Sequence, residues 1–458
     1  MPRADAEQGK FSTLARAALA GASIPMAMLT LPLVISVPEY FGNALGMDLA
    51  LVGAVFMAVR VLDIAIDPLL GLAMDATRTR WGRFRPWLLI GVPVFVAGTA
   101  MLFMPPRTVG AAYLVVGLIL AYAGWSILSL AQLSLAAGLV RGYADRARIY
   151  AWIQAAFLGG VCLVMLLPLL MGSVANDPGA ALSLMGWLII GAAVPLTLLA
   201  ALLVPERVYA VERKRLGLAG YARLVSRSAV ARLVGADLLF GLGFGVASAV
   251  LVFFFIAAKG LERSTLGILL IAQMGTAVLA VPLLGAVAAR LGKHVTLGLC
   301  GVGACIVCPT MLLVPHGNLP LAALAMAVWG ICYGGVTFLP RAMMADAADE
   351  LKLEDGVERT GILYALLISS WKLGGAFSVG FGFILLDWIG YDPKLGSGNS
   401  PDALRGLQAL FAATPAVMGL LGALLCRGYP LTSARCAEIR RALDARADGG
   451  GTAAPAAA

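Results

Sequence analysis

The chain has 458 residues, of which 60% are hydrophobic and 13% charged, with a mean hydropathy of +0.90 and a formal net charge of +9. That balance excludes a soluble globular domain, and with it a nucleic-acid partner, which would need basic residues interleaved with aromatics on such a domain. Two histidines also leave little for His-based or metal-dependent catalysis.

Apolar runs long enough to cross a bilayer recur along the whole chain. They predict an all-α membrane protein with twelve transmembrane spans: 14–40, 49–75, 87–104, 110–140, 149–174, 181–204, 231–257, 264–289, 295–314, 319–345, 360–389 and 403–426. The longest polar connection separates six spans from six, the division of a two-bundle transporter. The expected organisation is a first six-helix bundle at 1–204, a central cytoplasmic loop at 205–230, a second bundle at 231–426 and a cytoplasmic tail at 427–458. The low-complexity end of that tail is expected to be disordered. Residues 2–9 are polar and the first apolar run is long, so no cleavable signal peptide is expected. Of 34 Lys and Arg, 26 fall on the side shared by the termini and the even-to-odd loops, which places both termini in the cytoplasm.

Span one carries Pro25, Pro32 and Pro38, which suit either a cavity-lining helix or a structural bend. Span two contains Arg60, Asp63 and Asp67 at i, i+3 and i+7, so one helix face carries three charges in the middle of lipid. Such charges are tolerated when they pair, bind a cation or a proton, or face a wet cavity. Two carboxylates one turn apart can bind and release a monovalent cation; the alternative is a static network with Arg60 and Lys372. The next turn reads GLAMDATRTRWGRFRPW, with Gly71, Asp75, Arg78, Arg80, Gly82, Arg83 and Arg85. This cluster could latch one conformation or simply set topology, and Arg141, Asp145, Arg146 and Arg148 after span four read the same way.

Span four has a polar stripe, Ser126, Ser129, Gln132 and Ser134, suited to lining a substrate path or to bonding neighbouring helices. After span eight, GAVAARLGKH repeats the glycine and short basic turn of span two, with Gly285 lying 214 residues after Gly71. Cys305 and Cys308 form a CxxC inside an apolar helix without a second pair, which favours packing over metal work. Arg341 in span ten reads as a snorkelling or gate-side residue with Asp346 as its candidate partner, rather than a substrate contact. Lys372 lies deep in span eleven beside Gly374 and Gly375, where pairing with a buried acid is favoured.

The segment DIAIDPLLGLAMDATRTRWGRFRPW resembles a hallmark of the glycoside–pentoside–hexuronide cation symporters, a branch of the major facilitator superfamily. MMADAADE at the end of span ten and WKLGGAF in span eleven extend the resemblance over nearly the whole chain. It implies the major facilitator fold, with a cation site at Asp63 and Asp67, Lys372 beside it and Ser126 contributing a hydroxyl. Where the melibiose-transporting member has an asparagine before the second aspartate, this chain has Ile66, which tilts the coupling ion from sodium towards a proton. The family's sugar-contacting positions correspond to Gly21, Ser129, Leu133, Thr337, Leu367 and the neighbourhood of Ile153 and Gln154, so most of that polar and aromatic set is absent. Ser129, Gln132 and Thr337 remain as candidates to line the substrate path.

The expected protein is a transporter rather than an enzyme, monomeric in a bacterial inner membrane. It couples H+ or Na+ to a small organic solute, most simply a sugar or glycoside, by alternating access, with no other cofactor. A lysolipid-like cargo is the alternative on the same fold. A membrane-embedded enzyme or sensor is the remote one, since neither a nucleophile–base set nor a signalling domain is present.

Overall fold

A computed structural model describes residues 13–34, 36–139, 143–170, 177–206, 223–262, 265–357, 359–392 and 395–448. Helix α1 spans Thr13–Val34 in two segments, Thr13–Gly21 and Ser23–Val34. The others are α2 Leu49–Ala76, α3 Arg85–Phe103, α4 Ala111–Leu139, α5 Tyr143–Leu170, α6 Pro178–Leu203, α7 Ser228–Phe253, α8 Leu266–Leu291, α9 Lys293–Thr310, α10 Leu319–Asp355, α11 Thr360–Trp388, α12 Pro401–Cys426 and α13 Ser433–Asp448. Ten of them are long and apolar enough to cross a membrane on those criteria alone. At 28 and 29 residues, α2 and α11 reach about 42 Å at 1.5 Å per residue, and between them they carry Arg60, Asp63, Asp67 and Lys372.

The packing repeats itself. In the first half α1 packs on α5 and α6, α3 on α4 and α6, and α2 on α4. Adding six to each number gives the contacts of the second half: α7 on α11 and α12, α9 on α10 and α12, and α8 on α10. The two halves meet through α2 with α11 and through α5 with α8, and the same shift exchanges these two pairs. The glycine-plus-basic-turn repeat thus marks equivalent helix ends at Gly71 and Gly285.

Two boundaries differ from the sequence reading. Helix α10 continues ten residues past 345, because ADAADELKLED is rich in strong helix formers, and it stops at Gly356 with φ of +69°. The tail holds a 16-residue helix, α13, which buries Ile439 and joins α10 through an Arg440–Asp349 ion pair. Most of the central loop, 207–222, and the expected disordered end, 449–458, lie outside the described residues.

Candidate functional site

Asp63 and Asp67 are buried on α2 and meet Lys372 of α11. The Lys372 Nζ lies 2.8 Å from Asp63 Oδ2 and 2.7 Å from Asp67 Oδ2. It donates to Ser126 Oγ at 2.8 Å, and that hydroxyl donates to Asp63 Oδ1 at 3.0 Å. Arg60 approaches Asp63 less closely, at 3.5 Å, with its guanidinium over the Tyr122 ring. Three helices therefore converge on two carboxylates, one ammonium and one hydroxyl.

The two carboxylates are not equivalent. Asp63 accepts hydrogen bonds, whereas neither oxygen of Asp67 has a hydrogen-bond partner among the described residues. The Lys372 ammonium reaches Asp67 at ion-pair distance without hydrogen-bonding alignment. An unmet buried acceptor costs about 1–3 kcal/mol, more when charged; the ammonium at 2.7 Å offsets this for Oδ2 and leaves Oδ1 the atom with most to gain from a proton or cation. Two carboxylates against one ammonium also leave an excess negative charge, partly offset by Arg60 at the rim.

A cavity of about 470 Å³ borders this cluster. Its walls are Leu29, Thr30, Leu33 and Val34 of α1, Phe56, Met57, Arg60 and Val61 of α2, Tyr122 and Trp125 of α4, and Gly375 and Ala376 of α11. Trp125 also faces Lys372, whose Nζ is 5.3 Å from the ring centre, so Arg60 and Trp125 stand between cavity and carboxylates. The cavity takes the C-terminal part of α1 and the part of α2 before Asp63, so it lies on the side away from the chain termini.

At the opposite, basic end the halves are closed against each other. Gly71 and Gly361 pack backbone to backbone: a Cβ on Gly71 would sit 2.7 Å from the Gly361 carbonyl oxygen. Asp75 accepts from the Gly361 and Ile362 amides at 2.7 and 2.9 Å and pairs with Arg83. A carboxylate from one half thus caps the N-terminus of α11 in the other, where free amides and the helix dipole favour negative charge. Across the repeat, buried Arg146 bonds Asp346 at 3.0 Å and Asp349 at 2.7 Å, and Lys293 joins on Asp346. The Tyr150 and Tyr364 hydroxyls hydrogen-bond between the halves beside these contacts.

The remaining basic turn is held locally. Glu206 accepts from the amides of Arg83, Phe84 and Arg85, capping α3, and Arg85 donates to the Val204 carbonyl. Gly82 has φ of +118°, a left-handed conformation suited to glycine, and a Cβ there would collide with Glu206. Arg78 and Arg80 are exposed.

One expectation is corrected. Asp346 does not pair with Arg341: five residues along a helix separate them by roughly 140° at 3.6 residues per turn, and Asp346 turns instead to Arg146 and Lys293. Ser129, Gln132 and Thr337 do not border the cavity described above. Ser129 and Thr337 donate to carbonyls of their own helices, and Gln132 ties α4 to Ser23 and the Leu19 carbonyl of α1. The cavity aromatics Tyr122 and Trp125 escaped the sequence reading, although Tyr122 lies one turn from Ser126 on the same helix face. So did Asp237, Glu206 and the Tyr150–Tyr364 contact.

The comparisons agree with the architecture. A family model for MFS/sugar transport proteins matches residues 18–433. The chain is 26% identical over 423 residues to the glucuronide carrier protein homolog of Escherichia coli, covering 89% of this chain and 90% of that one. It is 24% identical over 399 residues to the isoprimeverose transporter of Lactiplantibacillus pentosus, covering 82% and 80%. Among solved structures, the fucose transporter FucP in its outward conformation superposes with a TM-score of 0.63 at 12% identity, covering 91% of this chain and 99% of that one. The chain belongs to the MFS/sugar transport protein family, the sugar and cation symporters of the major facilitator superfamily.

Proposed function

We propose that this protein accumulates a small polyhydroxylated solute, a sugar or glycoside, by coupling it to downhill influx of a cation bound at Asp63 and Asp67. The observation that carries this reading is Asp67, fully buried, at ion-pair distance from Lys372 and without a hydrogen-bond partner among the described residues. A cation arriving there competes with Lys372, which is shared between both acids and Ser126. Its arrival can therefore loosen this polar tie among α2, α4 and α11, and so bias the two halves. Solute and cation then favour the same state, and the coupling is reciprocal.

The proton is the favoured ion. Sodium needs several oxygens arranged around it, yet Ser126 is already engaged, Ile66 is apolar and Lys372 occupies the space between the acids. A proton needs only one carboxylate oxygen. The positive-inside bias puts the closed, basic end in the cytoplasm, so the cavity opens outward and this conformation takes solute from outside. The same orientation supports a bacterial inner membrane, as in the inner membrane symporter YicJ of Escherichia coli, 26% identical over 412 residues.

One observation favours a second cargo: the cavity wall is largely apolar, which would suit a lysolipid-like molecule. The test covers both. Proteoliposomes with an imposed proton or sodium gradient are offered labelled sugars, glycosides and lysophospholipid, and internal accumulation is measured. The expected result is proton-driven accumulation of a sugar or glycoside by the native protein, with Asp63→Asn and Asp67→Asn folded but unable to concentrate it. Undiminished uphill transport by both variants would remove the cation assignment; accumulation of lysophospholipid alone would establish the second cargo.

A further inference from the structure

A second pair of charges, unconnected to the carboxylate cluster, lies inside the second half. Asp237 of α7 is 1% exposed, and its Oδ2 accepts from Ser370 Oγ at 2.8 Å. Its Oδ1 has no hydrogen-bond partner among the described residues, and neither has the buried Nη1 of Arg341 on α10. The two side chains feel each other's charge but are not in ion-pair contact. Tyr333, Tyr364 and Tyr150 also lie within electrostatic reach of Arg341. The Tyr333 ring is 6.5 Å from that of Trp371, and both rings, like Arg341, are partly exposed.

Helix order fixes the level of this pair. Tyr364, which donates to the Arg341 carbonyl, belongs to the closed end, whereas Gly375, eleven residues later on α11, borders the cavity. Ser370 and Trp371 fall between. The pair therefore sits at a level between the cavity and the closed end.

A buried donor and a buried acceptor left unpartnered within electrostatic reach of each other are costly, and a group that gives and takes a hydrogen bond at once can remove the cost. A hydroxyl does both: its hydrogen goes to Asp237 Oδ1 and its oxygen accepts from Arg341 Nη1. A carboxylate could accept from Arg341 but would face Asp237 with like charge. An ammonium could donate to Asp237 but would face Arg341. We propose that Asp237 and Arg341 form a hydroxyl-binding pair for the solute, with Tyr333 and Trp371 as the adjoining ring surface. The inference rests on the sugar reading above. It places recognition in the second half, between α7 and α10.

The test is binding to the purified full-length protein, followed by tryptophan fluorescence, with 4-nitrophenyl β-D-glucoside, β-D-xyloside and β-D-glucuronide, their monodeoxy derivatives, and a dipeptide as the amide control. Native protein should bind a neutral glycoside at least about tenfold more tightly than the glucuronide, and bind the dipeptide not at all, as a like charge left facing Asp237 costs over a kcal/mol. Asp237→Asn and Arg341→Gln should each weaken that glycoside about tenfold or more, with partial recovery in Arg341→Lys. For the one deoxy sugar that lacks the bound hydroxyl the penalty of each substitution should vanish, which a merely structural role would not produce. Size-exclusion profiles identify unfolded variants, in which case Asp237→Glu and Arg341→Lys carry the same deoxy-sugar comparison. Equal affinity of native and variant proteins, penalties independent of the hydroxyl removed, preference for the glucuronide or dipeptide, or no binding of any glycoside would each overturn the proposal. Proton- or sodium-dependent stabilisation, read on the same variants, reports separately on Asp63 and Asp67, so failure of the cation reading is distinguishable from failure of this one.

Discussion

Removing the ammonium from the α2–α11 cluster exposes what it does. Lys372→Met leaves Asp63 and Asp67 facing each other in a buried site, and loss of one partner from a buried ion pair costs about 3–5 kcal/mol. The folded variant must then recover a positive charge from solvent, as a proton or a cation, which the unfolded chain has no comparable need to hold. Stability is therefore expected to fall as pH rises and to return on acidification, or on adding sodium if the site accepts it. Thermal unfolding of the variant between pH 5.5 and 8.5, with and without sodium, checks this; a midpoint as insensitive to both as the native one would show that Lys372 does not hold the acids apart. The cluster was legible in the sequence because charge is rare and expensive in lipid, so three charges on one helix face demand an explanation. Which partner each side chain takes was not, because direction around a helix and the approach of another helix decide it. Arg341 and Asp346 look adjacent in sequence but point apart. Gln132 is polar like a substrate ligand and is committed to α1.

At the level of elements, the closed end depends on two contacts that a single atom can disturb. A methyl on Gly71 would meet the Gly361 backbone and the Ala365 side chain, neither of which can move without parting α2 from α11. Asp75→Asn removes the charge that caps α11 while keeping the shape. Such a cap is worth about 1 kcal/mol, enough for a several-fold shift between two conformations of similar energy. Gly71→Ala and Asp75→Asn should both open the basic end, so a cysteine replacing Ala151, which packs at Gly285, becomes more reactive to a membrane-impermeant maleimide from the cytoplasmic side. Unchanged labelling in both would mean that these contacts pack the helix ends without holding the state. The span positions were readable from apolar length alone. The extension of α10 and the presence of α13 were not, because both are amphipathic segments outside lipid, stabilised by docking on each other.

The whole molecule carries the repeat that the sequence only hinted at: every helix pair in the first half has its counterpart six helices later. Under the proposed alternating access, such symmetry would give two related arrangements, with the pairs α2–α11 and α5–α8 as the pivots and gates. Which arrangement is populated cannot be written in the sequence, since both share it; it follows from the glycine contact, the Asp75 cap and the Arg146–Asp346 network at the basic end. The solute was the least legible element for a related reason. A transport path uses surfaces that are buried in one state and wet in the other, so its residues look like ordinary core. The central claim is that solute and cation cross together through Asp63 and Asp67. Its most direct measurement is cation uptake evoked by solute: de-energised, lightly buffered vesicles containing the protein are mixed with glycosides while external pH and sodium are recorded. Native protein should take up protons when its glycoside is added, and Asp67→Asn should take up none while still binding that glycoside. Glycoside movement with no cation flux in the native protein, or the same flux in Asp67→Asn, would contradict the account.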